Sequence, residues 1–266
     1  MERIGKRRGL AFSALSAAFS LLFVSCGEDK IVASGDFEVQ RFADLPTCNA
    51  AYEGLLARVK AWDADYFCNG EMWVLRGEKP SKCDSSGIMR DYRDGKSYRC
   101  LDWGHGVWMR DNLNLGKFET GENRQSATIW TETRKHCRNG SDVCVDGALY
   151  AWTTALLVDT MFLRMELSIV LDSPHRGLCP AGWHVPTEKE FKDAFGDDEA
   201  LDRLWSSLKD PAIVAFFQSE VWTAGDVYCS KKLSGGTDVQ VEMEWGEVEC
   251  RSANGYAERR LRCVQD

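Results

Sequence analysis

Cysteine usage constrains this chain more than any other feature. The chain has 11 cysteines, and the first, Cys26, directly follows an apolar stretch at residues 9–24. Such a stretch is typical of an export signal, and export leads to oxidising compartments in which paired cysteines persist as disulfides. The other ten cysteines form an even set, as a framework of up to five bridges requires. They are Cys48, Cys68, Cys83, Cys100, Cys137, Cys144, Cys179, Cys229, Cys250 and Cys263.

The first 26 residues resemble the signal of a bacterial lipoprotein. Four cations at residues 3–8 precede the apolar stretch, which is too short to span a bilayer comfortably. The stretch runs into Val24-Ser25-Cys26, which is similar to a lipobox. The resemblance implies that residues 1–25 are removed and that Cys26 carries diacylglycerol and palmitate-type acyl chains. The alternative is an ordinary secretory signal with a chance cysteine.

Charge excludes one class of partner. Removal of residues 1–25 takes away four cations and one anion, so the formal net charge moves from −8 to about −11. Nucleic acids and anionic bilayers are bound through basic faces, so we expect no nucleic acid partner and a membrane contact only through the lipid. A hydrophobic content of 44% with 10 Trp is sufficient for a packed core.

Signals for metal binding and catalysis are absent from the sequence. No C-x-x-C or C-x-x-H spacing occurs, which disfavours a zinc site or a redox dithiol. There is no G-x-S-x-G, H-E-x-x-H or phosphate-binding glycine loop. We therefore predict no catalytic residue, no metal and no cofactor, and we interpret His184 as a packed, hydrogen-bonded residue.

After the predicted signal peptide, the sequence predicts a tether followed by a small module. Residues 26–44 are polar and mixed in charge, as a lipidated tether would be. Residues 45–76 form the predicted Cys-rich module, with an amphipathic helix over residues 49–62 and a hairpin turning at Asn69-Gly70. A bridge between Cys48 and Cys68 would clip that helix to the hairpin. Residues 77–87, rich in Gly, Pro and Ser, are the predicted linker.

Several local signals follow in the remainder of the chain. Asp94-Gly95 predicts a second hairpin turn, and the apolar residues 148–171 predict a buried helix or a docked insertion. Thr187 and Glu190 have the spacing of a capping box, and Gly196 is placed to end that helix in the left-handed conformation. A second helix is predicted over residues 199–208, and a final strand over residues 260–264.

Five segments in this region carry a family resemblance. They are residues 91–98 (DYRDGKSY), 107–114 (VWMRDNLN), 147–152 (GALYAW), 179–191 (CPAGWHVPTEKEF) and 261–264 (LRCV). In this order they resemble the Fibrobacter succinogenes major paralogous domain, a family of exported bacterial proteins. The resemblance extends over residues 88–266, which we take as the main domain. The module at residues 45–76 is similar to a Cys-rich module that precedes this domain in related lipoproteins.

The resemblance implies an α+β fold of the C-type-lectin-like class, related to the formylglycine-generating enzymes. In that fold two helices flank small antiparallel sheets; here the domain would be disulfide-rich and preceded by a small Cys-containing helix-hairpin module. A long-range bridge would join Cys179 to Cys263. By proximity within the family-like pattern, the remaining pairs would be Cys137–Cys144 and Cys229–Cys250. Cys83 and Cys100 are then left to pair with each other.

Tryptophans are the candidate ligand-binding residues. The Glu-Pro-Asn, Gln-Pro-Asp and Trp-Asn-Asp elements of calcium-dependent lectins do not occur, so calcium-mediated sugar binding is not expected. Trp103, Trp130 and Trp245 lie in polar contexts and could stack on sugar rings. The tryptophans inside the family motifs are instead expected in the core; these are Trp108, Trp152 and Trp183.

Three functions remain open on these grounds. The first is a lipid-anchored, non-catalytic binding module of the bacterial cell envelope, at the outer membrane or cell surface, with polysaccharide or another surface protein as ligand. The second is a structural or display protein without a small ligand. The third is a formylglycine-generating-type oxidase, which would need free reactive thiols.

Overall fold

The computed structural model describes most of the chain after residue 35. It describes residues 36–119, 131, 133–137, 143–159, 171, 174–208, 220–224, 227–234, 244–252 and 257–266. The predicted signal peptide (residues 1–25) and Cys26 lie outside these residues. Within the described residues, no helix has the length and apolar character that crossing a membrane requires.

The N-terminal module is a four-stranded sheet in which the strands follow their chain order. Its strands are β1 (Phe37–Val39), β2 (Leu56–Val59), β3 (Ala64–Cys68) and β4 (Trp73–Leu75). β1 pairs with β2 in parallel, and the other two pairs are antiparallel. The predicted hairpin is confirmed, because β3 and β4 are joined through Asn69-Gly70 with Gly70 at φ +92°. The bridge Cys48–Cys68 closes the module.

The predicted helix over residues 49–62 is wrong. Residues 50–54 form turns, Gly54 has a left-handed φ of +83°, and β2 follows directly. In β2 the buried residues alternate: Ala57 and Val59 are 1% and 0% exposed, and their neighbours are more exposed. Apolar spacings of three and four also fit a turn followed by a strand. The strands on either side of β2 satisfy its backbone groups, so tertiary pairing overrides the helical pattern.

The main domain is built around a five-stranded sheet with the order β11-β16-β7-β6-β5. These strands are β5 (Ile88–Arg90), β6 (Ser97–Asp102), β7 (Val107–Met109), β11 (Trp183–His184) and β16 (Val264–Gln265). The predicted Asp94-Gly95 hairpin joins β5 to β6, with Gly95 at φ +76°. The last strand of the chain therefore lies between β11 and β7, in the middle of the domain.

Smaller sheets complete the domain. The strands are β8 (Lys117–Phe118), β9 (Arg134–Lys135), β10 (Tyr150–Ala151), β12 (Val221–Trp222), β13 (Val227–Ser234), β14 (Glu244–Ser252) and β15 (Glu258–Arg259). They form a β12-β13-β14 sheet and the two-stranded pairs β10-β15 and β8-β9. The β8-β9 pair is parallel, so the small sheets are not all antiparallel.

Three described α-helices pack on these sheets. They are α1 (Trp152–Leu156), α2 (Glu188–Phe195) and α3 (Asp198–Leu208). The second predicted helix is confirmed as α3, and the described part of the 148–171 segment contains the fully buried α1. The chain is thus mostly β with few helices, a disulfide-rich α+β fold.

Helix α2 begins at the predicted capping box. The Thr187 side chain accepts from the Glu190 backbone N–H, and the Glu190 carboxylate accepts from the Thr187 backbone N–H. The predicted left-handed stop at Gly196 is wrong, because Gly196 adopts a right-handed φ of −85°. Its backbone N–H still bonds to the Lys192 carbonyl, and a Cβ at Gly196 would lie 2.5 Å from that oxygen.

The core contains the tryptophans that the motifs place there. Trp108, Trp152 and Trp183 are 0%, 3% and 1% exposed. The five disulfides of the structure are the five pairs named above: Cys48–Cys68, Cys83–Cys100, Cys137–Cys144, Cys179–Cys263 and Cys229–Cys250. The Cys179–Cys263 bridge spans 84 residues and links the segment before β11 to the segment before β16.

Candidate functional site

The candidate site is a cleft where the N-terminal module meets the main domain, called here the junction cleft. Its volume is about 290 Å³, close to the lower end of the range of small-ligand sites. It is lined by three short segments, residues 75–81, 91–93 and 176–181, together with Leu157. Both charged and apolar side chains reach it, as sites that bind and orient a small ligand require.

A buried ion pair forms the base of the cleft. The Arg93 guanidinium donates to both carboxylate oxygens of Asp91, with Nε–Oδ1 at 2.9 Å and Nη2–Oδ2 at 2.7 Å. The two residues are 6% and 0% exposed, so the pair is out of contact with bulk water. Arg93 Nη1 also donates to the backbone carbonyls of Leu178 and Cys179, at 2.8 and 3.3 Å. The pair therefore fixes the 176–181 segment beside the Cys179–Cys263 bridge.

Charged side chains surround the opening of the cleft. The Lys79 ammonium lies 5.3 Å from the centre of the Tyr92 ring, within the range of a cation–π contact. Across the opening, Arg176 forms an ion pair with Glu78 and donates from Nε to the Cys179 carbonyl at 3.2 Å. No carboxylate in the described part of the chain forms an ion pair with Lys79. The cleft therefore presents an aromatic face together with one cation in excess.

The segment predicted as a linker (residues 77–87) is attached to the main domain. The Ser81 backbone N–H donates to the Ala181 carbonyl at 2.8 Å, and the Trp183 indole N–H donates to the Ser81 carbonyl at 3.0 Å. Cys83 is bonded to Cys100 and donates its N–H to the Gln265 side chain. One wall of the cleft is thus held by hydrogen bonds and a disulfide.

Aromatic contacts join the module to the domain below the cleft. Tyr66 donates its hydroxyl to the Tyr92 carbonyl at 2.5 Å, and the Trp62 ring meets the Tyr92 ring edge-to-face at 5.8 Å. A Cβ at Gly95 would lie 2.7 Å from Trp62 and 2.8 Å from Phe42. Only glycine fits this approach of the hairpin to the module, and it also supplies the φ of +76°.

Of the three tryptophan candidates, Trp103 is the one whose side-chain surroundings fall within the described part of the chain. Trp103 is 7% exposed and packs edge-to-face on Phe195 at 5.6 Å, so the prediction that it lies on the surface is wrong. Its position beside α2 explains the error, because the polar neighbours in sequence do not reveal the helix that covers it. Trp130 lies outside the described residues. Trp245 lies in β14 and pairs with Leu233 of β13.

His184 is part of the structural framework, as predicted. Its Nδ1 is 2.6 Å from Asp266 Oδ1, and its Nε2 is 2.9 Å from Glu190 Oε1. Burial opposes the charged form, but the two hydrogen bonds to carboxylates raise the pKa of His184. Despite burial, the hydrogen bonds from His184 and Thr187 lower the pKa of Glu190 to about 2. The contacts join β11, the start of α2 and Asp266.

Comparison with protein families confirms the resemblance. Residues 101–201 match the family model of the Fibrobacter succinogenes major domain. The chain contains a Fibrobacter succinogenes major domain. The match includes the 176–181 wall of the cleft and the capping box of α2, and it begins after the other two cleft segments. Neither the comparison with curated proteins nor that with solved structures gives a match.

Sequence reasoning did not find the residues of the junction cleft. Lys79 lies in the segment predicted as a linker, and Tyr92 and Arg93 were seen only as part of a family motif and a hairpin. The Asp-x-Arg pattern of Asp91 and Arg93 is a signal that could have indicated the base of the cleft, because an aspartate and an arginine two positions apart can form a bidentate ion pair. Nothing in the sequence indicates that Arg176 and Glu78, 98 residues apart, meet.

Proposed function

We propose that this protein is a lipid-anchored, non-catalytic binding module of the bacterial cell envelope, at the outer membrane or cell surface. In this proposal Cys26 carries the lipid anchor, the main domain has a C-type-lectin-like fold, and the junction cleft binds a polysaccharide segment. The single observation that carries the proposal is the cleft itself, which combines an aromatic ring, exposed charged groups and a rigid base.

The chemistry of the cleft suits a carbohydrate. Sugar rings have apolar C–H faces that pack on aromatic rings, and Tyr92 supplies such a ring at the opening. Hydroxyl groups need donors and acceptors at fixed positions, and Glu78 and Arg176 supply both. The cation of Lys79 lies beside the ring, so we expect carboxylated polysaccharides to bind more tightly than neutral ones.

Rigidity of the cleft supports binding. Ligand affinity is lost when side chains or loops must be ordered on binding. Here the Asp91–Arg93 pair, the Ser81–Ala181 hydrogen bond and the Cys179–Cys263 bridge hold the lining segments before a ligand arrives.

Cysteine pairing supports the non-catalytic part of the proposal over the oxidase alternative. An oxidase of the formylglycine-generating type acts through reactive thiols, whereas a half-cystine has no thiolate to offer. The ten cysteines after Cys26 are joined in five bridges. A free-thiol titration of the native protein checks this directly: two or more reactive thiols would favour the oxidase.

Binding is tested with the mature protein on defined polysaccharides. Retention on insoluble cellulose and xylan, and calorimetric titration with polygalacturonate, are compared for the wild type and for Lys79→Ala and Tyr92→Leu. We expect binding of polygalacturonate, weakened about tenfold in each variant, which corresponds to about 1.4 kcal/mol. Lys189→Ala is the matched control, because Lys189 lies on α2 with its side chain 83% exposed.

Two results would contradict the proposal. If no polysaccharide binds, a display or structural role is favoured. If polysaccharide binds but the Lys79 and Tyr92 variants retain wild-type affinity, the ligand site lies elsewhere on the molecule.

A further inference from the structure

A buried lysine contacts an asparagine side chain inside the main domain. Lys135 is 8% exposed and lies in β9. Its Nζ donates to Oδ1 of Asn114 at 2.6 Å. A second lysine approaches the same residue, because Lys96 Nζ donates to the Asn114 main-chain oxygen at 2.6 Å. Two amines therefore converge on one asparagine.

The two lysines differ in their charge partners. Lys96 donates to Oδ2 of Asp94 at 2.6 Å and forms an ion pair with it. Lys135 forms no ion pair with any carboxylate in the described part of the chain, and its side-chain partner is the neutral amide of Asn114. Burying an ammonium without a directly paired carboxylate is costly, so the neutral amine is more accessible here than at an exposed lysine, although the charge of Asp94 opposes this effect. Burial, together with the Lys96 charge, lowers the pKa of Lys135 to about 8.

The amide is held in place from several directions. Asn114 Nδ2 is 3.5 Å from the Cys144 carbonyl, next to the Cys137–Cys144 bridge. The Asn114 backbone N–H donates to the Tyr98 hydroxyl at 3.1 Å, and Tyr98 is 3% exposed. Because Oδ1 is bonded to Cγ, the Lys135 amine needs only a small shift to reach Cγ. An amine and a carbonyl carbon held this closely react far faster than the same groups free in solution.

We propose that Lys135 and Asn114 are joined by an intramolecular isopeptide bond. The neutral Nζ of Lys135 attacks Cγ of Asn114, a C–N bond forms, and the Cγ–Nδ2 bond breaks. The leaving Nδ2 takes up one proton released by the attacking amine and departs as ammonia. No oxidant or other reactant is needed.

Asp94 and Lys96 are the proton carriers in this step. Their side chains are hydrogen-bonded to each other, and Lys96 also touches Asn114. Burial, reinforced by the charge of Asp91, raises the pKa of Asp94, although Lys96 opposes this shift, so the Asp94 carboxyl takes up a proton more readily than an exposed aspartate does. The product would tie the segment just before β8 to β9 with a bond that reducing agents do not break.

Mass spectrometry of the mature wild-type protein tests the proposal. After reduction and alkylation of the disulfides, we expect an intact mass lower than the sequence mass by one ammonia molecule. Trypsin cleaves after Arg110, Lys117, Arg134 and Arg138. We therefore expect a branched peptide in which residues 111–117 are joined to residues 135–138.

The branched peptide separates this reaction from succinimide formation. A succinimide at Asn114 also loses ammonia, but it leaves two linear peptides. Lys135→Arg is expected to restore the full mass and the linear peptides. Lys117→Arg is the matched control, since Lys117 lies in the neighbouring strand β8, pairs with Glu71 and should leave the branched peptide intact.

A folded wild-type protein with the full sequence mass and only linear peptides would overturn the proposal. The same conclusion would follow if Lys117→Arg, rather than Lys135→Arg, removed the branched peptide.

Discussion

The buried ion pair at the base of the junction cleft gives the sharpest stability prediction. Asp91→Asn keeps the size of the side chain but removes the charge that the Arg93 guanidinium faces at 2.7 Å. Arg93 is only 6% exposed, so water cannot replace the lost carboxylate. The guanidinium would then stay buried without the carboxylate that it contacts in the wild type, while its hydrogen bonds to the Leu178 and Cys179 carbonyls remain.

The expected loss follows from this burial. Removing one partner of a buried ion pair costs about 3 to 5 kcal/mol of unfolding free energy, because the remaining buried charge loses its direct counter-charge. The double variant Asp91→Leu with Arg93→Met removes both charges. It should lose less, about 1 to 3 kcal/mol, because no charge of the pair stays buried. The remaining cost comes mainly from the Leu178 carbonyl, which loses its Arg93 donor, whereas the Cys179 carbonyl keeps Arg176.

Urea unfolding at pH 7 with the disulfides intact measures these losses. The urea midpoint of Asp91→Asn should fall, while the m value, the slope of unfolding free energy against urea concentration, should stay unchanged. This combination indicates a change in stability alone. Asp44→Asn is the control, because the Arg41–Asp44 pair lies at the surface and should matter little. If Asp91→Asn stays within about 1 kcal/mol of the wild type, or is less destabilised than the double variant, the reasoning about the buried pair is refuted.

Four further predictions concern pH and packing. Because the pKa of folded His184 is raised, its contribution to stability is present in full below its unfolded pKa and is lost as pH rises through the folded value. In His184→Gln the urea midpoint should therefore change less between pH 6 and pH 8 than it does in the wild type. The same pH dependence of the midpoint in both proteins would contradict this prediction. The pKa of Glu190 is lowered to about 2, so the contribution of Glu190 to stability is lost as pH falls from about 4.5 towards 2. Glu190→Gln lacks this contribution, so its stability should depend less on pH over that range than the wild type's, as acid titration by circular dichroism can show. Gly95→Ala should lower the unfolding free energy by more than about 1 kcal/mol, and Gly104→Ala by clearly less. Both glycines have left-handed φ, but of the two only at Gly95 would the new Cβ clash with other side chains, those of Trp62 and Phe42. Equal losses of stability in calorimetry would argue against the contact between Gly95 and the module. Trp103→Ala should lower unfolding free energy by about 3 to 5 kcal/mol as a core residue, whereas a stable variant with weakened polysaccharide binding would return Trp103 to the surface.

Local structure was predictable where a short stretch contains its own partners. The Thr187–Glu190 capping box and the Asn69-Gly70 and Asp94-Gly95 turns depend on backbone geometry within a few residues, so their patterns were reliable. The strand at residues 56–59 was missed because its pairing partners decide its conformation. The same apolar spacing fits a helix when those partners are not known.

The cleft could not be predicted because its residues meet only in the folded chain. Glu78 and Arg176 are 98 residues apart in sequence, and Trp103 is covered by a helix almost a hundred residues later. Contacts over such separations depend on how strands are ordered in the sheet. That order places the last strand, β16, between β7 and β11.

By itself, the sequence determined the even set of ten cysteines, the family of the main domain, and the turns and helix caps at the ends of strands and helices. These features depend on residue identity and on short spacings along the chain. Tertiary structure alone decided that Trp103 is covered, that residues 77–87 are attached to the domain, and that an amine lies against an amide at Lys135 and Asn114. The physical reason is that burial and electrostatic environment belong to a position in space, which many distant residues create together.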